Sequence, residues 1–72
     1  MSRSNIHNNI RKLRFLNSEM TQQELADRTG VSRQTIMAIE SGKYSPTLQL
    51  AFQIAEIFKV KLEEVFQYKP EE

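Results

Sequence analysis

The sequence predicts an all-α fold built from five helices. Glycine and proline are confined to four positions, which are too few for a fold of many short strands and turns: Gly30, Gly42, Pro46 and Pro70. Apolar residues recur instead at the three-to-four-residue spacing of a helix. The 72 residues suit one small domain, and two separate cores would not fit.

The composition is that of an ordinary globular chain, with 39% hydrophobic and 26% charged residues. Because cysteine is absent and His7 is the single histidine, we expect no disulfide scaffold, no metal site and no cofactor. No apolar run approaches the roughly 18–20 residues of a membrane span, and the opening MSRSNIHNN lacks the apolar core of a signal peptide. These features predict a cytoplasmic protein.

The charges are divided unevenly along the chain. Residues 1–44 carry seven cations and four anions, a net charge of +3, whereas residues 45–72 carry three cations and five anions, a net charge of −2. A basic half joined to an acidic half suits one face to a polyanion. Taken alone, so small an imbalance is also typical of an ordinary solvated surface.

The first predicted helix spans residues 6–16. Its apolar stripe follows helical spacing and consists of Ile6, Ile10, Leu13 and Leu16. Three cations, Arg11, Lys12 and Arg14, lie largely off this stripe. For Arg11 and Lys12 the favoured interpretation is a solvated face.

The second predicted helix begins at about Gln22. Thr21 and Glu24 have the spacing of a capping box, in which each side chain accepts a hydrogen bond from the other residue's backbone amide. The helix is expected to end before Gly30, since glycine most easily takes the left-handed conformation that closes a helix.

The third predicted helix spans residues 33–40. Ser32 is suited to cap its start, and Gly42 follows as its terminator. Ile36 and Ile39 share one face and are expected to point into the core.

The fourth predicted helix spans residues 46–58, with Ser45 as its cap and Pro46 at its first position. Only a narrow polar stripe interrupts its apolar residues, so most of its surface should be buried. The residues expected to face the core are Leu48, Ala51, Ile54, Ala55 and Phe58.

A short fifth helix is predicted over residues 61–67, with Leu62, Val65 and Phe66 as its packing face. The domain organisation that follows is a flexible arm over residues 1–5, a folded domain over residues 6–67 and a frayed tail over residues 68–72.

Helices two and three together have the form of a helix-turn-helix, since both are short and the turn between them contains Gly30. Ala26 is small enough to let the two helices cross closely. Aliphatic side chains are spaced to fix the crossing angle against the core, namely Leu25, Val31, Ile36 and Ile39.

The sequence resembles the Cro/C1 (XRE) family of phage and bacterial repressors. The resemblance rests on TQQELADRTGVSRQTI (21–36), IESGKYSP (39–46) and LQLAFQIAEIF (48–58), and it covers about residues 6–67. It implies a compact five-helix bundle of the lambda-repressor type. Two features depart from the family pattern: the link FLNSEM lacks the usual glycine and is about one residue longer, and Lys61 replaces the Ser or Thr that often caps helix five.

The outer face of helix three is predicted to read DNA bases, because Ile36 and Ile39 turn the opposite face inward. Arg33 suits guanine, Gln34 suits adenine, and Met37 and Ala38 suit the methyl group of thymine; the four predicted base-reading residues are Arg33, Gln34, Met37 and Ala38. Two alternatives stay open: Arg33 as a phosphate contact, and Met37 as an exposed helix former without a role.

A second set of residues is predicted to hold the DNA backbone. Gln22 resembles the phosphate-binding glutamine of the family and lies at the positive end of its helix. The full predicted set is Gln22, Ser32, Thr35, Lys43, Tyr44 and Ser45. For Ser32 and Ser45 capping alone is the alternative.

Glu40 lies near the negative end of its own helix and therefore needs a cationic partner. The family resemblance implies a structural ion pair with Arg14. No nucleophile, base or phosphate loop is arranged for catalysis, so we do not expect an enzyme.

Helix four carries more apolar surface than one face can bury, which predicts a two-fold dimer. The predicted interface combines helix five with the flanks of helix four and consists of Leu50, Phe52, Ile57, Phe66 and Tyr68. For Phe66 an ordinary core position is an equal alternative.

These features predict a homodimeric transcriptional regulator, and specifically a repressor that binds a palindromic operator in double-stranded DNA. A protein-binding module of the antitoxin or adaptor kind, with DNA binding secondary, is the alternative. It would be distinguished by association with a different protein.

Overall fold

Residues 5–70 of the chain fold into five helices and two short strands. The computed structural model describes residues 5–70. In this part of the chain the order is β1 (Ile6–Asn8), α1 (Ile10–Leu16), α2 (Gln22–Thr29), α3 (Arg33–Glu40), α4 (Leu48–Phe58), α5 (Leu62–Val65) and β2 (Phe66–Tyr68). The predicted all-α class with five helices is confirmed. Most of the predicted arm, residues 1–4, and the end of the predicted tail, residues 71–72, lie outside the described residues.

Helices α2 and α3 have the predicted bounds and the predicted caps. Thr21 Oγ1 accepts from the Glu24 amide at 3.0 Å, and Glu24 Oε1 accepts from the Thr21 amide at 2.8 Å. Ser32 Oγ accepts from the Thr35 amide at 3.1 Å. Between the helices Gly30 takes a φ of 79°, where a side chain would be strained.

The first helix begins later than predicted. Residues 6–8, assigned to helix one by their spacing, form β1 and pair antiparallel with β2, so that Asn8 lies opposite Phe66. Asn8 Oδ1 accepts from the Ile10 amide at 3.1 Å. This local hydrogen bond competes with helical backbone geometry before Ile10 and lets the helix start there.

The fourth helix also begins later, and its cap is Thr47 rather than Ser45. Thr47 Oγ1 accepts from the Leu50 amide at 3.1 Å. Pro46, predicted as the first helical residue, instead lines a surface groove beside the two strands. Thr47 has an extended backbone, with φ −64° and ψ 161°, so the helix begins only after it and Pro46 lies outside the helix.

The fifth helix is shorter than predicted. It ends at Val65, and the next three residues form β2. The prediction of a helix to residue 67 was wrong because its apolar spacing gives no sign of pairing with β1. The pairing extends to the Lys69 amide, which donates to the Asn5 carbonyl at 2.9 Å.

The core lies between α1, α2, α3, α4 and α5. Its fully enclosed large side chains come from all five helices and are Ile10, Leu25, Ile36, Ile39, Ile54 and Val65. No helix within residues 5–70 is long and apolar enough to span a membrane.

Two leucines of α4 have the reverse of their predicted environments. Leu48, predicted to face the core, is 68% exposed, whereas Leu50, predicted for the dimer interface, is 7% exposed. The buried stripe of α4 is centred on Ile54 and Phe58, and Leu50 lies nearer to that stripe than Leu48 does. Leu50 therefore belongs to the core and is not available as an interface residue.

Candidate nucleic-acid interface

The outer face of α3 carries the predicted base-reading residues. Arg33, Gln34 and Met37 are exposed, and Ala38 is half-buried. The opposite face is anchored in the core by Ile36 and Ile39. One edge of α3 therefore presents both polar and apolar side chains to solvent. The opposite edge is held in the core.

The crossing of α2 and α3 fixes how that edge is presented. Ala26 is fully buried at the crossing, and its carbonyl accepts from the amides of Gly30 and Val31 at 2.8 and 3.2 Å. Thr29, a buried residue that the sequence interpretation missed, donates its hydroxyl to the Leu25 carbonyl at 2.9 Å. The turn is therefore closed by both backbone and side-chain hydrogen bonds.

The loop that follows α3 carries three of the predicted phosphate contacts, Lys43, Tyr44 and Ser45, and all three are exposed. The amides of Lys43 and Tyr44 donate to the Ala38 carbonyl at 2.9 and 3.3 Å. These bonds tie the loop directly to the edge of α3 that faces solvent.

Two other predicted phosphate contacts lie at the start of α3. The hydroxyl groups of Ser32 and Thr35 form a hydrogen bond with 3.0 Å between their oxygens, and Ser32 also caps the helix. Ser32 is exposed and Thr35 half-buried. The cap uses the Thr35 amide, and the residues at the N-terminal end of α3, Ser32 to Gln34, are exposed.

A cleft opens between the end of α1 and the starts of α2 and α3. Arg14 lies on its wall and pairs with Glu40, with Nε to Oε2 at 2.7 Å and Nη2 to Oε1 at 3.2 Å. The side chains of the pair are 14% and 10% exposed. The ion pair implied by the family resemblance is thus present, bidentate and largely buried.

Gln22, the remaining predicted phosphate contact, lies on the same cleft and is half-buried. Its Nε2 donates to Glu40 Oε1 at 3.2 Å. Exposed Arg11 and Arg33 also line the cleft, which brings a residue of α1 close to the predicted DNA-facing surface.

Asn8 is a positioning residue that the sequence interpretation missed. Its Nδ2 donates to the carbonyls of Ile39 and Glu40 at 3.1 and 3.4 Å, so it closes the C-terminal end of α3. The signal in the sequence is the Asn8-Asn9 pair directly before Ile10, where α1 begins, since asparagine commonly bonds to backbone groups at helix ends.

The predicted interface residues are not all alike in the structure. Phe52 is 53% exposed and Tyr68 is 65% exposed, whereas Ile57 and Phe66 are half-buried against the core. Phe66 also lines an apolar groove between α4, α5 and β1. It has both the core contact and the surface exposure that the sequence interpretation left as alternatives.

Two short helices that cross at a capped glycine turn, with one immobilised face and one exposed face, define a helix-turn-helix protein. This chain belongs to the helix-turn-helix family of the Cro/C1 type, whose sequence profile matches residues 10–65.

Relatives in archaea and bacteria agree with this assignment. An uncharacterised HTH-type transcriptional regulator of Methanocaldococcus jannaschii is 52% identical over 65 residues, which are 90% of this chain and 97% of that protein. The HTH-type transcriptional regulator YgzD of Bacillus subtilis is 45% identical over 51 residues, which are 71% of this chain and 77% of that protein. A solved structure of a candidate DNA-binding protein from Bacteroides fragilis has a TM-score of 0.74 and 26% identity, and covers 86% of this chain and 98% of that one.

Proposed function

We propose that this chain is a sequence-specific DNA-binding protein that places α3 in the major groove and regulates transcription. The observation that carries the proposal is the exposed edge of α3 formed by Arg33, Gln34 and Met37, on a helix whose other edge is buried. The names of the relatives, as transcriptional regulators, support the same function.

Base reading follows from the chemistry of that edge. The Arg33 guanidinium matches the two acceptors of guanine, and the Gln34 amide matches the donor and acceptor of adenine. Met37 and Ala38 offer apolar surface to a thymine methyl group, and the small side chain of Ala38 permits close approach of the helix to the bases.

Phosphate contacts flank this edge on both sides. Gln22, Ser32 and Thr35 lie at the starts of α2 and α3, where backbone amides and the helix dipole favour an anion. Lys43, Tyr44 and Ser45 lie on the loop after α3. These six residues orient the protein on the DNA, and the α3 edge supplies the sequence preference.

We propose further that the chain is a cytoplasmic repressor that binds a palindromic operator as a homodimer. The loop that carries Ser45 borders the apolar groove lined by Leu48 and Phe66, so a second copy seated there would lie next to the proposed DNA surface. Two α3 helices related by a two-fold axis read a palindrome, with half-sites about 34–36 Å apart. Occupation of such a site blocks a promoter that overlaps it.

Selection of bound duplexes from a random DNA pool tests the proposal. The expected result is a symmetric consensus with two half-sites about one helical turn apart. Recovery of no consensus would contradict sequence-specific binding, and an asymmetric single site would contradict the homodimer. A reporter gene with the selected site at its promoter then distinguishes repression from activation.

Variants of the two proposed contact classes test the assignment of residues. Arg33→Ala and Gln34→Ala should each cost about 1–3 kcal/mol on the selected site and relax the preference at one or two base pairs. Lys43→Ala should weaken cognate and scrambled duplexes by the same factor and reduce the salt dependence. Equal loss on both duplexes for Arg33→Ala would reassign Arg33 to phosphate binding.

A further inference from the structure

The Arg14–Glu40 ion pair has a third member in Gln22. Glu40 Oε1 accepts one hydrogen bond from Arg14 Nη2 and another from Gln22 Nε2, both at 3.2 Å. The sequence assigns these residues to two separate roles, an ion pair inside the protein and a phosphate contact on its surface. The structure joins the two roles at a single carboxylate oxygen.

We infer that Glu40 is a positioning residue for the contact between Gln22 and a DNA phosphate, an inference that rests on the proposed function. A glutamine amide has a donor end and an acceptor end, which exchange places when the amide rotates by half a turn. A phosphate only accepts hydrogen bonds, so the donor end must face it. Rotation of an unrestrained amide would present oxygen to the phosphate instead.

Glu40 selects the orientation that binds. A carboxylate also only accepts hydrogen bonds, so Nε2 of Gln22 is turned towards Oε1 of Glu40. One of the two hydrogens on Nε2 is used by Glu40, and the second remains for a phosphate. Gln22 lines a cleft that is also lined by two exposed cations, Arg11 and Arg33, and by one exposed anion, Glu19, so the exposed charges around a phosphate there are on balance positive.

Arg14 makes a carboxylate compatible with a site for anions. It donates to both oxygens of Glu40, so the pair carries no net charge, and its Nη1 donates to the Met20 carbonyl at 2.8 Å. The guanidinium is thereby fixed to the link between α1 and α2. Repulsion between Glu40 and DNA is therefore offset within the protein, while the oxygen that orients Gln22 is kept.

The hydrogen bond to Glu40 also orders the Gln22 side chain in the protein without DNA. A free glutamine side chain loses rotamer freedom when it is immobilised at an interface, which weakens binding. The bond to Glu40 restricts Gln22 in the unbound protein, so less freedom is lost on binding.

The first test measures the unbound wild-type protein. Nitrogen relaxation of side-chain amides by NMR should show Gln22 to be more ordered than Gln53, an exposed glutamine on α4 that serves as the control. Gln23 is unsuitable as a control because it bonds to Asp27. Mobility of Gln22 equal to that of Gln53 would overturn the inference without any variant having to fold.

The second test is a double-mutant cycle of Gln22→Ala and Glu40→Asp, measured as dissociation constants for the selected duplex. Glu40→Asp keeps the charge opposite Arg14 but withdraws the carboxylate from Gln22. Gln22→Ala should weaken binding about tenfold beside the native Glu40, because a hydrogen bond to a charged group is lost. In the Glu40→Asp background the same change should weaken binding less than about threefold.

Equal losses in the two backgrounds would overturn the positioning role and leave the proposed function intact. No loss for Gln22→Ala in the native background would overturn it as well, because Gln22 would then make no phosphate contact. Failure of the proposed function is distinguishable from both, since the wild-type chain would then select no DNA.

Discussion

Three non-glycine residues in the described part of the chain take left-handed backbone conformations: Ser18, Glu19 and Lys59, with φ values of 59°, 55° and 58°. Ser18 and Glu19 lie in the link between α1 and α2, where the family pattern has a glycine. The link therefore makes a glycine-like turn without glycine, at a cost in backbone strain. Nothing in the local sequence predicts this, because Ser and Glu favour other conformations.

Lys59, the third left-handed residue, allows a direct test of the cost of this backbone conformation. It closes α4 in the left-handed conformation and is exposed. Lys59→Gly should raise the free energy of unfolding by about 0.5–1 kcal/mol, because glycine adopts this conformation without a steric penalty. Urea denaturation measures the change. Lys59→Ala is the matched control, since it removes the side chain and keeps the strain, and equal stability of the two variants would contradict the argument.

Arg14 and Glu40 give a second prediction about single residues. Arg14→Ala should lower the free energy of unfolding by about 2–4 kcal/mol, because it leaves a largely buried carboxylate without its bidentate partner. The Met20 carbonyl loses its donor as well.

Thermal denaturation without DNA checks this, with Arg11→Ala as the control because Arg11 is an exposed arginine on the same helix. The control should change the melting temperature little. If Arg14→Ala melts at the same temperature as Arg11→Ala, the ion pair contributes nothing to stability.

At the level of elements, the start of α4 shows where sequence signals compete. Ser45-Pro46 has the pattern of a cap followed by a first-turn proline, and Thr47 is a second possible cap two residues later. The structure uses Thr47, whose side chain accepts from the Leu50 amide. Pro46 instead lines a groove together with Ile6 and Phe66, which are distant from it in the sequence.

Thr47→Ala should therefore destabilise the domain by about 1 kcal/mol, the usual value of an N-cap hydroxyl. The lost bond is the one from the Leu50 amide to Thr47 Oγ1. Thr47→Ser keeps the hydroxyl and should retain most of the stability in the same urea titration. A Thr47→Ala variant as stable as Thr47→Ser would show that the cap contributes little.

Helices α2 and α3 were predictable to the residue because their signals are local. The capping box, the left-handed glycine and the Ser32 cap all act within four residues of the helix ends. Strands β1 and β2 were missed because they pair residues about sixty positions apart, and each is too short to show an alternating pattern.

The candidate site also has one part that local sequence signals predict and another part that depends on distant residues. The exposed edge of α3 follows from helical periodicity, so Arg33, Gln34 and Met37 could be named from the sequence. The bond from Gln22 to Glu40 and the closure of α3 by Asn8 join segments distant in the chain. Both needed the tertiary structure, since no spacing rule connects those positions.

For the whole molecule, Asn8 and Asn9 connect the paired strands to the helices. Asn8 holds the end of α3, and Asn9 donates its amide to the Val65 carbonyl at 2.9 Å and its Nδ2 to the Glu64 carbonyl at 3.2 Å. The end of α5, the sheet and the end of α3 are thus fixed to one another. A surface formed near the sheet therefore has a defined position relative to the edge of α3.

The apolar surface near the sheet carries the last prediction. A groove is lined by Ile6, Pro46, Leu48, Ala51, Leu62 and Phe66. Phe52 lies one helical turn beyond Leu48, and Tyr68 lies on the same side of β2 as Phe66, so both exposed aromatic rings extend this surface. Two copies related by a two-fold axis would bury these side chains against each other.

We expect sedimentation at micromolar concentration to show a dimer for the wild-type chain and a monomer for Leu48→Asp. The exposed position of Leu48 should let the variant keep its helicity, because an aspartate there faces solvent in the monomer. Leu16→Asp is the control, since Leu16 is similarly exposed on α1 but does not line the groove, and this variant should remain dimeric. A wild-type chain that stays monomeric at all concentrations would contradict the dimer. Equal dissociation of the Leu48→Asp and Leu16→Asp variants would instead place the interface elsewhere.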